Sequence, residues 1–119
     1  MPSRYGFGPS ARLSSRRDFK RVFEHGRRIF GRNAVLWFHD SQEQRQVRFG
    51  LSVSSKVGAA VRRSRLKRLA REAFRMNRAK LRPGRDIVVQ LKPGCGWKAM
   101  KDAEDDFLEL CRRAGLLEE

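Results

Sequence analysis

Apolar residues recur along this chain with two different periods. In "SSRRDFKRVFEHG" (14–26), Phe19, Val22 and Phe23 are spaced three and four apart, which places them on one face of a short helix. Ser15 is positioned to cap that helix, Asp18 follows three residues later as in a capping box, and Gly26 is expected to end it in a left-handed turn. "NAVLWFH" (33–39) and "QVRFGLSVSS" (46–55) read as strands, and the polar "DSQEQR" between them predicts an antiparallel hairpin. In the second strand Phe49, Leu51 and Val53 alternate with Gly50, Ser52 and Ser54. One face is apolar; the other is small enough for a backbone or ligand to approach.

The period returns to helical from about Ala59 to Arg78, where Leu66, Leu69, Ala70, Ala73, Phe74 and Asn77 fall on one side. "RPG" (82–84) closes that region, "DIVVQLK" (86–92) reads as a buried strand, and a last helix runs from Trp97 to Ala114. The predicted order is αββαβα, with room for a further short strand near Ile29. An α/β (α+β) two-layer sandwich follows, one central sheet with helices packed on it. Residues 1–13, rich in Gly, Pro and Ser, are expected to be a flexible segment, and residues 14–119 a single domain.

Charge changes this picture from a fold to a function class. The 119 residues carry 28 Lys and Arg against 13 Asp and Glu, a net charge of +15, with a pI near 11.4. Such self-repulsion points to an anionic partner, nucleic acid before an acidic membrane surface. Between Lys56 and Lys80 stand ten basic residues and one acid, Glu72. On the helical wheel Ser64, Lys67, Arg68, Arg71, Arg75 and Arg78 lie opposite the apolar face. Glu72 can pair with Arg68 or Arg75, but pairs of this kind give only about 0.2–0.5 kcal/mol and leave most of the charge uncompensated. Arginine also outnumbers lysine, and its planar fork suits phosphate and base contact. The small residues of "KVGAAV" bring the positive helix start within reach of a phosphate, flanked by Lys56, Arg62, Arg63 and Arg65.

From Lys98 onward the balance reverses to −3, so the last helix is expected to face away from the polyanion. Cys95, Cys111, His25 and His39 have no ligand spacing, so no metal site is predicted. No apolar run is long enough to span a membrane and no signal-peptide core is visible, which gives the expectation of a reduced, cytoplasmic protein. The aromatics are ambiguous. Val35 and Trp37 share one face of the first strand and Leu36 and Phe38 the other; one face is expected to be core and the other an open surface for stacking bases of single-stranded nucleic acid.

"FGLSVSSKVGAAVRRSRLKRLAREAFR" (49–75) closely resembles the signature of the protein subunit of bacterial ribonuclease P, and "DFKRVFEHGRR" and "DIVVQLKP" extend the match to about residues 13–114. The resemblance implies a left-handed βαβ crossover around the basic helix, against the usual handedness. It implies no catalytic residue in the chain: the RNA subunit performs the cleavage, with Mg2+ required by the ribonucleoprotein. Arg63, Ser64, Arg65, Lys67, Arg68 and Arg71 are the residues it places against the catalytic RNA, and the charge pattern adds Lys56, Arg62 and Arg75 to that surface. Phe19, Phe23, Val35 and Trp37 are those it places near a cleft for the 5′ leader of precursor tRNA, and Ser52, on the small face of the second strand, is added to them. Ser64 departs from the asparagine usual between the two arginines, offering a hydroxyl in place of an amide. The partners implied are the catalytic RNA and precursor tRNA, with neither DNA nor membrane. The alternative is a structural, ribosomal-type RNA-binding protein. A helix-turn-helix DNA reader lacks its second helix a short turn away, and a self-sufficient nuclease lacks carboxylates beside Glu72.

Overall fold

The computed structural model describes residues 12–40 and 46–118. The elements are α1 (Arg16–His25), β1 (Arg27–Phe30), β2 (Ala34–Asp40), β3 (Arg48–Ser52), α2 (Ala60–Asn77), β4 (Arg85–Leu91) and α3 (Met100–Arg113). The order is the predicted one, with the extra strand present as β1. The Ser15 hydroxyl accepts from the Asp18 N–H at 3.0 Å, so the cap read from sequence is formed. Gly26 differs from expectation. Its φ of −84° and ψ of 173° are extended, not left-handed. What requires glycine there is space, because a Cβ would lie 2.6 Å from the Phe38 carbonyl oxygen where α1 ends against β2.

The sheet order is β1-β2-β4-β3. β1 and β2 form an antiparallel hairpin, β2 and β4 are antiparallel, and β3 runs parallel to β4, with α2 in the connection between them. The hairpin expected between 33–39 and 46–55 therefore does not form, and β4 lies between its two arms. Physically, β4 is covered on both faces: Ile87 and Val89 belong to one apolar cluster and Val88 to the other. A strand buried on both sides belongs in the middle of a sheet, where both of its edges are paired. Residues 41–45, the expected hairpin turn, lie outside the described residues.

On one face of the sheet Leu36, Phe38, Phe49, Ile87 and Val89 meet α2 and α3, forming the two-layer core. Phe74 stacks on Phe49 at 4.5 Å between centroids, and Phe107 meets both rings edge-on. The face of α2 predicted to be apolar is the one buried, Leu69 only in part. Buried Asn77 donates to the Ala73 carbonyl and to Glu104 Oε2, both at 2.8 Å, tying α2 to α3.

On the opposite face α1 packs Val22 onto Val88 with Leu13, and Phe19, Phe23 and Trp37 border this smaller cluster. An ion pair seats the helix. Arg48 reaches fully buried Asp86 through two hydrogen bonds, at 2.8 and 2.7 Å, and Asp18 of α1 at 3.3 Å. Hydrogen bonding to Asp86 raises the Arg48 pKa above its ordinary value, so the guanidinium is held charged. Of the expected flexible segment, residues 1–11 lie outside the described residues. Leu13 is buried and donates its N–H to the Phe49 carbonyl at 2.9 Å. The small face of β3 is filled at Gly50 by the chain itself, where a Cβ would sit 2.7 Å from the Phe19 ring and 2.8 Å from the Leu13 carbonyl oxygen.

Candidate nucleic-acid interface

The cationic stripe of α2 has three parts that the wheel alone does not separate. Near the helix start, the arginines brace the scaffold. Arg62 donates to the Cys95 carbonyl, Arg65 to the Lys98 carbonyl at 2.8 Å, and Arg63 to the Gly58 carbonyl at 3.1 Å. Each guanidinium carries five N–H donors, so these contacts fix its position and leave donors to spare. At the far end Arg75 is paired with Glu72, which lowers the Glu72 pKa and raises that of Arg75.

Between them, Lys67, Arg68 and Arg71 have no hydrogen-bond or ion-pair partner among the described residues. Arg68 and Arg71 are exposed and Lys67 is half-buried. Lys56 and Ser64 are exposed as well. Ala59 caps α2 without any side-chain hydrogen bond, so no side chain competes with an external acceptor at the positive helix end.

Lys67 and Arg71 also form one wall of a groove of about 280 Å³ whose other side is built by Leu13, Ser14, Phe19 and Gly50. The groove passes over the outer edge of β3. It makes the stripe on one side of the sheet continuous with the α1 face on the other.

That second face is ordered in rows by the strand register. One row runs Arg28, Trp37, Val88, Gly50; the next runs Phe30, Val35, Gln90, Ser52. Phe23 meets Trp37 edge-on at 4.9 Å. The Arg28 guanidinium lies 4.9 Å from the Phe30 ring and 5.4 Å from the Trp37 ring. Phe30 is 56% exposed, and Trp37, Gln90 and Ser52 are half-buried. A ring with an open face beside a cation is a surface on which a base stacks without being read by sequence.

Residues 7–115 match the Ribonuclease P family. The chain belongs to the ribonuclease P protein family. It is 36% identical over 107 residues to the ribonuclease P protein component of Clostridium acetobutylicum, covering 89% of this chain and 90% of that one. Among solved structures it is similar to a Staphylococcus aureus RNase P protein mutant with defective mRNA degradation activity, with a TM-score of 0.84 and 25% identity over 91% of both chains. The RNase P protein from Thermotoga maritima aligns with a TM-score of 0.77 at 32% identity, over 86% of this chain and 96% of that one. Membership makes the chain a protein component of a ribonucleoprotein endoribonuclease.

Within this ribonuclease P protein fold the candidates separate cleanly. Those for the RNA subunit all lie on α2 or just before it. Of the cleft candidates, Phe19, Phe23, Trp37 and Ser52 share the α1 face and keep partial exposure. Val35 does not. At 6% exposure, flanked in register by Phe30 and Gln90, it offers floor instead of contact surface. Sequence reasoning missed Arg28, Phe30 and Gln90. The alternation of Arg28 and Phe30 about half-buried Ile29 was a signal, but it became decisive only once β1 was placed beside β2. Both cysteines are free and buried, and burial pushes the Cys111 thiol up to about 12 and raises that of Cys95.

Proposed function

We propose that this chain binds the catalytic RNA of ribonuclease P through α2 and holds the single-stranded 5′ leader of precursor tRNA on the α1 face, promoting removal of that leader. The observation that carries the reading is the groove joining the two surfaces. Unpartnered Lys67 and Arg71 form one wall and Phe19 the other, so a polyanion seated on the stripe continues onto a stacking face without a break. Phosphate contacts position the RNA, and rings accept unpaired bases of any sequence.

In this division the RNA performs the hydrolysis and holds the Mg2+. Among the described residues no three His, Cys, Asp or Glu side chains are grouped to hold a metal ion. The protein supplies binding that distinguishes precursor from product and screens repulsion between two RNAs. Two buried, free thiols suit a reducing cytoplasm.

Reconstitution with a bacterial ribonuclease P RNA at low magnesium tests the proposal. The chain is expected to stimulate 5′ cleavage and to bind precursor more tightly than mature tRNA, while cleaving nothing alone. Equal affinity for RNAs with and without a 5′ extension would return it to a purely structural RNA-binding role.

A further inference from the structure

We infer that Asp106, on the acidic helix α3, is a positioning residue for RNA binding, holding the guanidinium groups of Arg62 and Arg65 in place through the loop that precedes α3. The inference rests on the proposed binding of RNA by α2. Both arginines are exposed, yet each lends a donor to a loop carbonyl, Arg62 to that of Cys95 and Arg65 to that of Lys98, the latter at 2.8 Å. Where those carbonyls sit decides where the remaining N–H groups point. The loop has little stiffness of its own. Gly94 and Gly96 lie within it, and Gly94 takes a φ of 84° that few other residues adopt.

Asp106 supplies what the loop lacks. One of its oxygens, Oδ2, accepts from Trp97 Nε1 at 2.6 Å and from Asn33 Nδ2 at 2.8 Å. A carboxylate only accepts, so the Asn33 atom facing it is the nitrogen, and the amide oxygen is left for the Gly96 N–H, which donates to it at 3.0 Å. Trp97 is buried, so the loop is anchored by a ring beneath it and by an amide at its side. On the same helix Asp102 accepts from the Lys98 and Ala99 N–H groups at 2.8 and 3.1 Å, closing the far end of the loop. The Cys95 and Lys98 carbonyls flank the residues so held, and placement passes from α3 across the loop to α2. Hydrogen bonds to a carboxylate are roughly twice as strong as neutral ones, which suits an acid to the task. A helix with an acidic face thereby shapes a cationic surface to which it does not belong.

The test is filter binding of the full chain to a bacterial ribonuclease P RNA. Charge and position predict opposite signs: removing an acid from a cationic protein strengthens its grip on a polyanion, whereas freeing the loop weakens it. Asp106→Ala is expected to bind roughly threefold to tenfold more weakly, the range one misplaced hydrogen bond supplies. Asp105→Ala, an equal change of charge at an exposed neighbour paired with Lys101, should bind at least as tightly as wild type. Asp106→Asn keeps an oxygen for both donors and should restore wild-type binding. In an Arg62→Gln/Arg65→Gln background the loss from Asp106→Ala should vanish, because the groups it positions are gone. Asn33→Ala frees Gly96 with no change of charge and carries the same prediction should Asp106→Ala fail to fold. Asp106→Ala binding as tightly as Asp105→Ala, or losing the same factor with and without the two arginines, overturns the inference. Wild-type affinity for Arg62→Gln/Arg65→Gln also overturns it and leaves binding by α2 standing; wild-type affinity for Arg68→Ala/Arg71→Ala as well removes that reading, and this inference with it.

Discussion

Arg68→Ala combined with Arg71→Ala is expected to weaken binding of the chain to ribonuclease P RNA and to flatten its dependence on salt. Both side chains are exposed and neither is engaged by another described residue. Each is therefore free to neutralise one phosphate, and each phosphate contributes about 0.9 to the slope of log K against log salt for a duplex and about 0.7 for a single strand. Loss of two contacts makes the slope shallower by roughly 1.4 to 1.8 and lowers affinity at 0.1 M salt some 25- to 60-fold. The comparison that isolates geometry from charge is Glu72→Gln with Arg75→Gln, which removes a neighbouring cation already satisfied by its own acid and leaves the net charge unchanged. That double variant should keep the wild-type slope. Filter binding between 0.05 and 0.4 M potassium chloride gives both quantities, and far-ultraviolet circular dichroism confirms the helix. Equal slopes for wild type and Arg68→Ala/Arg71→Ala, or equal losses in the two double variants, would refute the division of α2 into braced, free and paired cations.

Asp86→Ala strips Arg48 of its two shortest hydrogen bonds, and because only 1% of the Asp86 side chain is exposed the loss should be about 3 kcal/mol in urea unfolding; a loss below about 1 kcal/mol counts against the pair as the seat of α1. Gly50→Ala forces a methyl into the Phe19 ring and the Leu13 carbonyl. It should destabilise by roughly 1–3 kcal/mol and lower precursor preference as α1 shifts, whereas unchanged unfolding and unchanged preference would show the contact to be slack. Burial raises the Cys111 thiol from the ordinary 9.0 to about 12, so its contribution to stability is complete below pH 9 and is lost between pH 9 and 12. Over that window wild type should lose about 1.4 kcal/mol per pH unit relative to Cys111→Ala, and parallel urea curves at pH 8, 9 and 10 would exclude it.

What could be read in advance followed from local physics. The wheel of α2 sorted its residues correctly because one-sided apolar spacing is imposed by a helix lying on a sheet, and Ser15 declared itself as a cap because its acceptor and the Asp18 N–H are three residues apart. Strand neighbours were a different matter. Alternation in β2 and β3 tells which side chains share a face, but not that β4 enters between them. The Arg48–Asp86 pair spans 38 residues and leaves no local trace. At the site, the stripe was plain while its division was hidden, because Arg62, Arg63 and Arg65 lean on backbone carbonyls, which every residue possesses. Gln90 was invisible for the same reason as the sheet order: its partner Trp37 stands 53 positions away.

The two rims of the sheet are guarded by different means. Along β3 the chain doubles back on itself, Arg12 bridging to Phe49 and Leu13 occupying a carbonyl that would otherwise recruit a foreign strand. Along β1 a side chain does this instead, Arg113 of α3 donating to the Phe30 carbonyl at 3.0 Å, and the exposed Arg27 and Arg28 present like charge to any second molecule offering the same edge. Such a chain resists pairing with its own kind, and under the proposed function the cations that repel a twin are the ones that welcome a polyanion.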